Sequence, residues 1–359
     1  MNILHIACIT EIVYSGVCAV VPQHIIAQAK MERVAFINVN NVEISKLTDY
    51  QILYTPPFDI SDIEKIFARP DIVVFHECYR GAYLKIFPVL ARERIPYVII
   101  PHGELSNEAQ RHKWLKKRLA NVLFFNRFVV NASAVQFLSE REKNSCNFVC
   151  KKIVATNGVC IPKQKKEGFS KEKVKITYIG RLDAYHKGLD LMIQAVSEIA
   201  NELRNSKCII ELYGPHTKGR DKNIKRLINN AKVNDIMTLY EAISGEEKKK
   251  QLLSTDIFIQ TSRFEGMPVG ILEAMSYGIP CLVTKGTTLG EEISKNQAGW
   301  CAEDNVQSIA KCIKYAISNK DTFALYGENA RRLVEKSYCW NFISAYTIDT
   351  YSKLIDKNK

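Results

Sequence analysis

The 359-residue sequence has no Cys-x-x-Cys pair, no apolar run long enough to span a bilayer, and no basic leader ahead of a cleavage site. Each absence removes a class of protein. The eleven cysteines are odd in number and scattered; Cys146 and Cys150 lie close together, but no clustered second pair completes a zinc site. Reduced, mostly buried thiols in a reducing compartment are expected, not a disulfide framework. The longest apolar candidate, around Leu119–Val130, is interrupted by Asn126 and Arg127, which argues against a membrane span. Met1-Asn-Ile-Leu-His-Ile-Ala7 runs directly into an apolar strand, unlike a secretory signal. A cytoplasmic protein is expected.

What is present is the composition of a globular protein, 47% hydrophobic and 25% charged, at a length that favours two domains. The net charge of +12 suits nucleic acid, an anionic membrane surface or a diphosphate-bearing substrate. Arg111, Lys113, Lys116, Lys117, Arg118 and Arg127 fall in a stretch without an acid between Glu108 and Glu140, and eight lysines crowd Lys151–Lys175. With no RNA-binding aromatic signature and no helix-turn-helix pattern, a nucleic-acid partner is not expected. His112–Val129 reads as a helix with Leu115, Leu119 and Val122 inward and Lys113, Lys116 and Lys117 outward. That face suits the inner surface of an anionic membrane, or simply solvent.

Short apolar, β-branched runs recur along the chain without polar alternation. In the first half they are 3–9, 34–39, 72–75, 97–100, 135–138 and 153–155; after a lysine-rich stretch they restart at 174–179, 208–213, 237–240, 257–260 and 281–284. Such runs are strands covered on both faces, hence parallel sheets. Segments of helical period, such as 189–203 and 269–277, separate them. The pattern predicts an α/β fold of two doubly wound Rossmann-like domains facing a cleft. The expected division is 1–162, 163–336, and a C-terminal helix, 337–359, that either closes the second domain or crosses back to the first.

The most informative stretch runs from Thr261 to Thr284. A buried strand ends in Glu265-Gly266, and Pro268 sits where a helix's first turn accepts it. The amides of Gly266, Met267 and Val269 would then stand at a helix N-terminus, a site for an anion. The following helix carries Glu273 inward and ends near Gly278-Ile-Pro280. One loop and one helix thus offer a diphosphate cradle and two carboxylates able to accept hydrogen bonds from hydroxyls. Taken singly, Glu265 could merely complement the helix dipole and Glu273 could be a surface carboxylate.

The whole segment resembles the signature of family-4 glycosyltransferases, retaining enzymes of the GT-B architecture also grouped as glycosyl transferases group 1. Their Glu-x7-Glu pair sits in a Ser-x-x-Glu-Gly-x-Pro…Leu-Glu-Ala-Met-x-x-Gly-x-Pro frame, matched here from Ser262 to Pro280. Gly180-Arg-Leu…Lys187-Gly188, Tyr213-Gly-Pro215 and Ile243-Ser-Gly245 resemble further loops of the same family. Matches in the first half are thinner: Pro101-His-Gly103, Asn157-Gly-Val159 and a Gly16 loop that has Ser15-Gly16 where many relatives have paired glycines.

The resemblance implies a hexose-type sugar moved from a nucleotide-diphosphate donor, with UDP favoured, to a glycan or lipid-diphosphate-linked acceptor. Bacterial surface polysaccharide assembly is the implied setting, in the cytoplasm or at the inner face of the cytoplasmic membrane. Arg181 and Lys187 would hold the donor diphosphate and stabilise its departing charge without a metal, and no Asp-x-Asp cluster is visible. No cofactor is implied. Glu265 would meet donor-sugar hydroxyls, Glu273 the ribose, and Tyr213, Gly214 and Ile243 the nucleotide side. His102 would stand beside the donor sugar and Gly16 near the phosphates. A front-face mechanism is implied, in which the departing diphosphate helps take the acceptor's proton. His76, Glu77 and Arg80, after a strand end on the acceptor side, are candidate acceptor contacts. The competing readings are a catalytically silent GT-B partner subunit and a GT-B nucleotide-sugar 2-epimerase; the retained Arg181, Lys187, Glu265 and Glu273 favour the transferase.

Overall fold

The structure is a computed structural model that describes every residue except 12–15, 112–113, 171, 217–218 and 357–359, with the side chains of 108 and 111 also left aside. The chain divides into two units, Met1–Gly158 with Trp340–Lys359, and Val159–Cys339.

In the first unit the strands are β1 (Asn2–Ala7), β2 (Arg33–Asn38), β3 (Gln51–Ile52), β4 (Ile72–His76), β5 (Tyr97–Ile100), β6 (Ala134–Phe137) and β7 (Lys152–Val154). They form one parallel sheet in the order β3-β2-β1-β4-β5-β6-β7. Order reverses beside β1, the switch point at which open α/β sheets gather ligands outside their strand ends. Ile3, Leu4, Ile6, Val73, Val74, Phe75, Val98 and Ile99 are all buried, as continuous apolar runs in a covered parallel sheet must be.

The second unit repeats the design with β8 (Lys175–Ile179), β9 (Ile209–Tyr213), β10 (Met237–Tyr240), β11 (Ile257–Gln260), β12 (Cys281–Thr284) and β13 (Gly299–Ala302). All are parallel, in the order β10-β9-β8-β11-β12-β13. The expected helix 189–203 is two helices, Leu189–Glu198 and Ala200–Asn205, interrupted at Ile199. The short β3 and the glycine-started β13 carry too little apolar pattern to be read from sequence.

The unit boundary falls at Gly158–Val159 rather than 162–163, because the lysine-rich residues from Lys163 to Lys175 are not a free linker. Lys166 pairs with Asp256 at 3.2 Å with both side chains almost fully covered, and Asp256 also accepts the Ser170 and Lys175 amides at 3.2 and 2.9 Å. Val159 is buried with Phe258 and Ile271 in the second unit's core. At the other end, the helix Trp340–Asp356 belongs to the first unit. Trp340 Nε1 donates to Gln23 at 2.7 Å and the Tyr351 hydroxyl donates to Gln136 at 2.7 Å.

Candidate functional site

In the second unit, β8 ends at Ile179 and the chain turns through Gly180–Gly188 into the helix Leu189–Glu198. Gly188 has φ +61°, and a Cβ there would lie 1.9 Å from the Thr261 carbonyl oxygen. Only glycine lets this loop lie so close to the end of β11. The close approach brings Lys187 onto Glu265, whose carboxylate it pairs with in a largely buried contact. Glu265 also accepts from Gln260 Nε2 at 3.1 Å and Ser262 Oγ at 3.0 Å, and its amide donates to the Gly286 carbonyl at 2.9 Å. Burial by itself would raise the Glu265 pKa; the charge and hydrogen bond of Lys187, with His186 and Ser262, outweigh it and hold the carboxyl below its ordinary value. The loop therefore presents an ionised carboxylate fixed on three sides.

Arg181 is exposed at the mouth of the same loop, and burial lowers the pKa of neighbouring His186, whose ring lies 4.3 Å from Phe264. A residue that sequence reading passed over ties the two loops together. Arg263 forks onto Asp190 at 2.7 and 2.8 Å, donates to the Tyr185 carbonyl at 2.6 Å, and lies 4.4 Å over the Tyr185 ring. A planar guanidinium suits this bidentate, stacked role as an ammonium would not.

The helix after the loop is Val269–Ser276. Two expectations change here. Pro268 is the residue capping the helix rather than its first helical residue, and the Val269 amide donates to the Met267 carbonyl at 3.1 Å, so it is not a free anion donor. Ile271, Leu272, Ala274 and Met275 are buried, while Glu273 stands half-exposed and pairs with Lys248 from the helix Gly245–Ser254. On the β9–β10 side, the Tyr213 and Tyr240 rings stack at 4.9 Å. Tyr213 and Ile243 help line a cavity of about 360 Å³ with Lys175, Glu247, Lys250 and Gln251. Gly214 packs so closely that a Cβ would sit 2.3 Å from the Gly180 carbonyl oxygen. The residues expected at the diphosphate, the nucleotide and the donor sugar thus follow strand ends of one sheet: Arg181 and Lys187 after β8, Gly214 after β9, Glu265 after β11.

In the first unit, His102 follows β5 with φ +48°, ahead of Gly103 at φ +89°. Left-handed backbone at a histidine is strained and survives only where its surroundings hold it. Here the buried Glu142 does so, accepting from the Gly103 amide at 2.7 Å and the Leu138 amide at 2.8 Å. His76 is corrected as an acceptor contact: its side chain is fully buried, with one ring nitrogen on His5 and the other on His102. Glu77 and Arg80 engage each other through a 2.9 Å Nε contact and a second, shorter one. Burial raises the Glu77 pKa in spite of that pairing. Gly16 begins the helix Gly16–Ala29, and no atom of the described residues lies within 4 Å of where its Cβ would stand. Ser15, His112 and Lys113 lie outside the described residues.

Among the described residues the expected helix 112–129 is continuous from Trp114 to Val130, with a π-helical stretch Asn121–Phe125 between Trp114–Ala120 and Asn126–Val130, and a short helix Asn107–Arg111 precedes it. The expected apolar stripe does not face a core, although Lys116 is exposed as expected. Leu115, Leu119 and Val122 are 64%, 61% and 67% exposed, while Lys117 turns in to donate to the Ala109 carbonyl at 2.7 Å above the Tyr79 ring. Phe125, Phe128 and Val129 supply the buried face instead.

The fold is that of the GT-B glycosyltransferases. Sucrose-phosphate synthase from Thermosynechococcus elongatus superposes with a TM-score of 0.75 at 14% identity over 99% of both chains. Anabaena HepE in complex with UDP and glucose does so at 0.74 and 18%, over 98% of this chain and 100% of that one. The family model of glycosyl transferases group 1 matches residues 161–333, just under half of the chain. Among curated relatives, a glycosyltransferase of Methanocaldococcus jannaschii is 28% identical over 185 residues, 51% of this chain and 46% of its own. The putative colanic acid biosynthesis glycosyltransferase WcaL of Escherichia coli is 26% identical over 42% of this chain and 38% of its own. The chain matches less than half the length of these relatives.

Proposed function

We propose that this protein is a retaining glycosyltransferase that moves a hexose-type sugar from a UDP-sugar to a glycan or lipid-diphosphate-linked acceptor without a metal ion. The observation that carries the reading is the Lys187–Glu265 contact at the end of β11, with Arg181 exposed beside it. When the bond between sugar and diphosphate breaks, negative charge develops on phosphate oxygen. Arg181 can fork onto two such oxygens and Lys187 can supply a compact charge, the stabilisation a metal would otherwise give. Glu265, held ionised, would accept from sugar hydroxyls and favour the cationic sugar centre in the transition state. Glu273 would take the ribose hydroxyls, Gly266 and Met267 line the sugar and phosphate path, and Tyr213, Gly214 and Ile243 the nucleotide. His102, with Gly16, would serve the same reaction from the first unit. The acceptor's proton leaves with the departing diphosphate on the attacked face.

Surface polysaccharide assembly is the setting favoured by a relative such as WcaL. Docking on an anionic lipid surface is supported by the exposed band Trp114, Leu115, Leu119, Val122, Leu123 and Phe124, flanked by exposed Lys116, Arg118 and Arg127. Apolar side chains beside cations are the pattern that inserts at a headgroup boundary. No helix among the described residues is long and apolar enough to cross a membrane.

The test is a panel of nucleotide sugars read by thermal shift and donor hydrolysis with chelator present. A UDP-sugar should raise the melting temperature, because binding to the folded state alone stabilises it. No response to any nucleotide sugar, or a response that requires Mg²⁺, would overturn the reading.

A further inference from the structure

Histidine is scarce in this chain, seven in all, yet four of them meet inside the first unit. His5 stands on β1, His76 at the end of β4, His24 on the helix Gly16–Ala29 and His102 after β5. Three of them form a line. His102 Nε2 lies 3.1 Å from His76 Nδ1, His76 Nε2 lies 3.0 Å from His5 Nδ1, and His5 Nε2 lies 2.8 Å from Gln28 Oε1. The line continues: Gln28 Nε2 donates to Thr347 Oγ1 at 2.9 Å, and the Thr347 hydroxyl donates to the Ser344 carbonyl at 3.0 Å. Five segments of the unit are joined in a single file of hydrogen bonds.

The nitrogens of His5, His24 and His76 also lie within 4.8 Å of one another, a spacing that raises the question of a metal. Both ring nitrogens of His5 and of His76 are already engaged along the line, and the His5–His76 contact has the length of a direct hydrogen bond. The cluster therefore reads as a proton-ordered chain.

Its order follows from counting protons. Burial keeps these rings neutral, so each carries one N–H and one lone pair. The Thr347 hydroxyl spends its proton on Ser344, so Gln28 must turn its amide nitrogen to Thr347 and its oxygen to His5. His5 then carries its proton on Nε2 and offers Nδ1 as acceptor. His76 in turn is protonated on Nε2 and offers Nδ1, and His102 is protonated on Nε2. Among the described residues one atom of the line is left over: the Nδ1 lone pair of His102.

We propose that Gln28, His5 and His76 are positioning residues that hold His102 as the neutral Nε2–H tautomer, with Nδ1 as an acceptor. The use of this nitrogen in sugar transfer rests on the function proposed above; the tautomer does not. A bare Nδ1 can take a hydrogen bond from a sugar or acceptor hydroxyl and has no proton to give a phosphate oxygen. His102 is thus a reader of hydroxyls. Which nitrogen of a catalytic imidazole carries the proton is set by the partner of the other, and here that partner is a buried chain ending on the C-terminal helix.

Long-range ¹H–¹⁵N spectra of the full chain labelled at histidine test this directly. Wild-type His102 should show a protonated Nε2 and an unprotonated Nδ1, unchanged from pH 8 to pH 5.5. A protonated Nδ1, which the opposite orientation of the Gln28 amide would produce, or exchange between the two forms, would overturn the proposal. Gln28→Leu should release the order, giving mixed tautomers at His102 and about a tenfold fall in kcat with little change in donor KM; an unchanged single tautomer in a folded Gln28→Leu protein would also overturn it. If the tautomer is as stated but no nucleotide sugar is used, the functional reading fails and the proton order stands.

Discussion

The Lys187 ammonium lies against the Glu265 carboxylate, closing the loop after β8 onto the loop after β11 within the second unit. The two residues are 78 positions apart, and each is the other's main electrostatic support in the absence of ligand. On the proposed function, a donor diphosphate would draw Lys187 toward phosphate and release Glu265 to sugar hydroxyls.

Glu265→Ala and Lys187→Ala should each lower sugar transfer by about a hundredfold or more, the scale on which lost transition-state charge stabilisation is felt. Both proteins should remain folded. Lys187→Ala leaves a buried carboxylate without its cation and should cost about 3 kcal/mol in urea unfolding, the range for breaking one side of a buried pair. Wild-type rates in both variants would remove the site from this location.

Gly188→Ala tests the backbone that makes the pair. With φ +61° and a Cβ 1.9 Å from the Thr261 carbonyl oxygen, alanine fits neither the dihedral nor the space. The loop must withdraw, at a cost of about 2 kcal/mol or more in stability. Donor binding should weaken at least tenfold by titration calorimetry. An alanine variant with native melting and native donor affinity would show that the close approach is not required.

Acid should destabilise the first unit as its buried histidines are driven to take up protons. His5 and His102 are held at about 4, and His24 and His76 are also pushed well below the ordinary value, all chiefly by burial. Because the unfolded rings take protons near pH 6.5 and the folded ones do not, stability is full above about pH 6.5 and falls as pH drops toward 4. His5 and His102 together imply a slope of about 3 kcal/mol per pH unit within that window. Urea midpoints between pH 7.5 and 5 should show it; a flat profile over that range would contradict neutral burial of the cluster.

The exposed band at 114–124 predicts lipid binding that depends on both apolar contact and charge. Leu119→Glu with Leu123→Glu should reduce flotation with phosphatidylglycerol vesicles by tenfold or more while leaving soluble-substrate activity unchanged. Binding should be weak to neutral phosphatidylcholine and should fall with added salt. Equal recovery of both proteins with anionic vesicles would rule out this face as the docking surface.

Much of the candidate site was legible because its signals are local. Glu265, Gly266, Pro268 and Glu273 sit within nine consecutive residues, and Arg181 and Lys187 within seven, so spacing alone displays them. Their partners were not legible. Lys248 reaches Glu273 across 25 positions, Arg263 reaches Asp190 across 73, and His5 reaches His76 across 71. Nothing in a single Lys, Arg or His marks the distant side chain it will meet.

The basic segment at 111–127 shows the same limit from the other side. An apolar stripe at helical spacing ordinarily faces a core, yet here Phe125, Phe128 and Val129 fill that place and Leu115, Leu119 and Val122 are left outside. Periodicity identifies a stripe without saying what covers it.

The sequence by itself determined the two parallel α/β sheets and the family frame of the C-terminal half, since buried strands need continuous apolar runs and loop chemistry needs fixed spacings. Tertiary structure alone decided which charges pair, where the units divide, and that His76 serves the interior. Those outcomes depend on which strand ends the topology makes neighbours, and β1, β4 and β5 become neighbours only when the sheet is assembled.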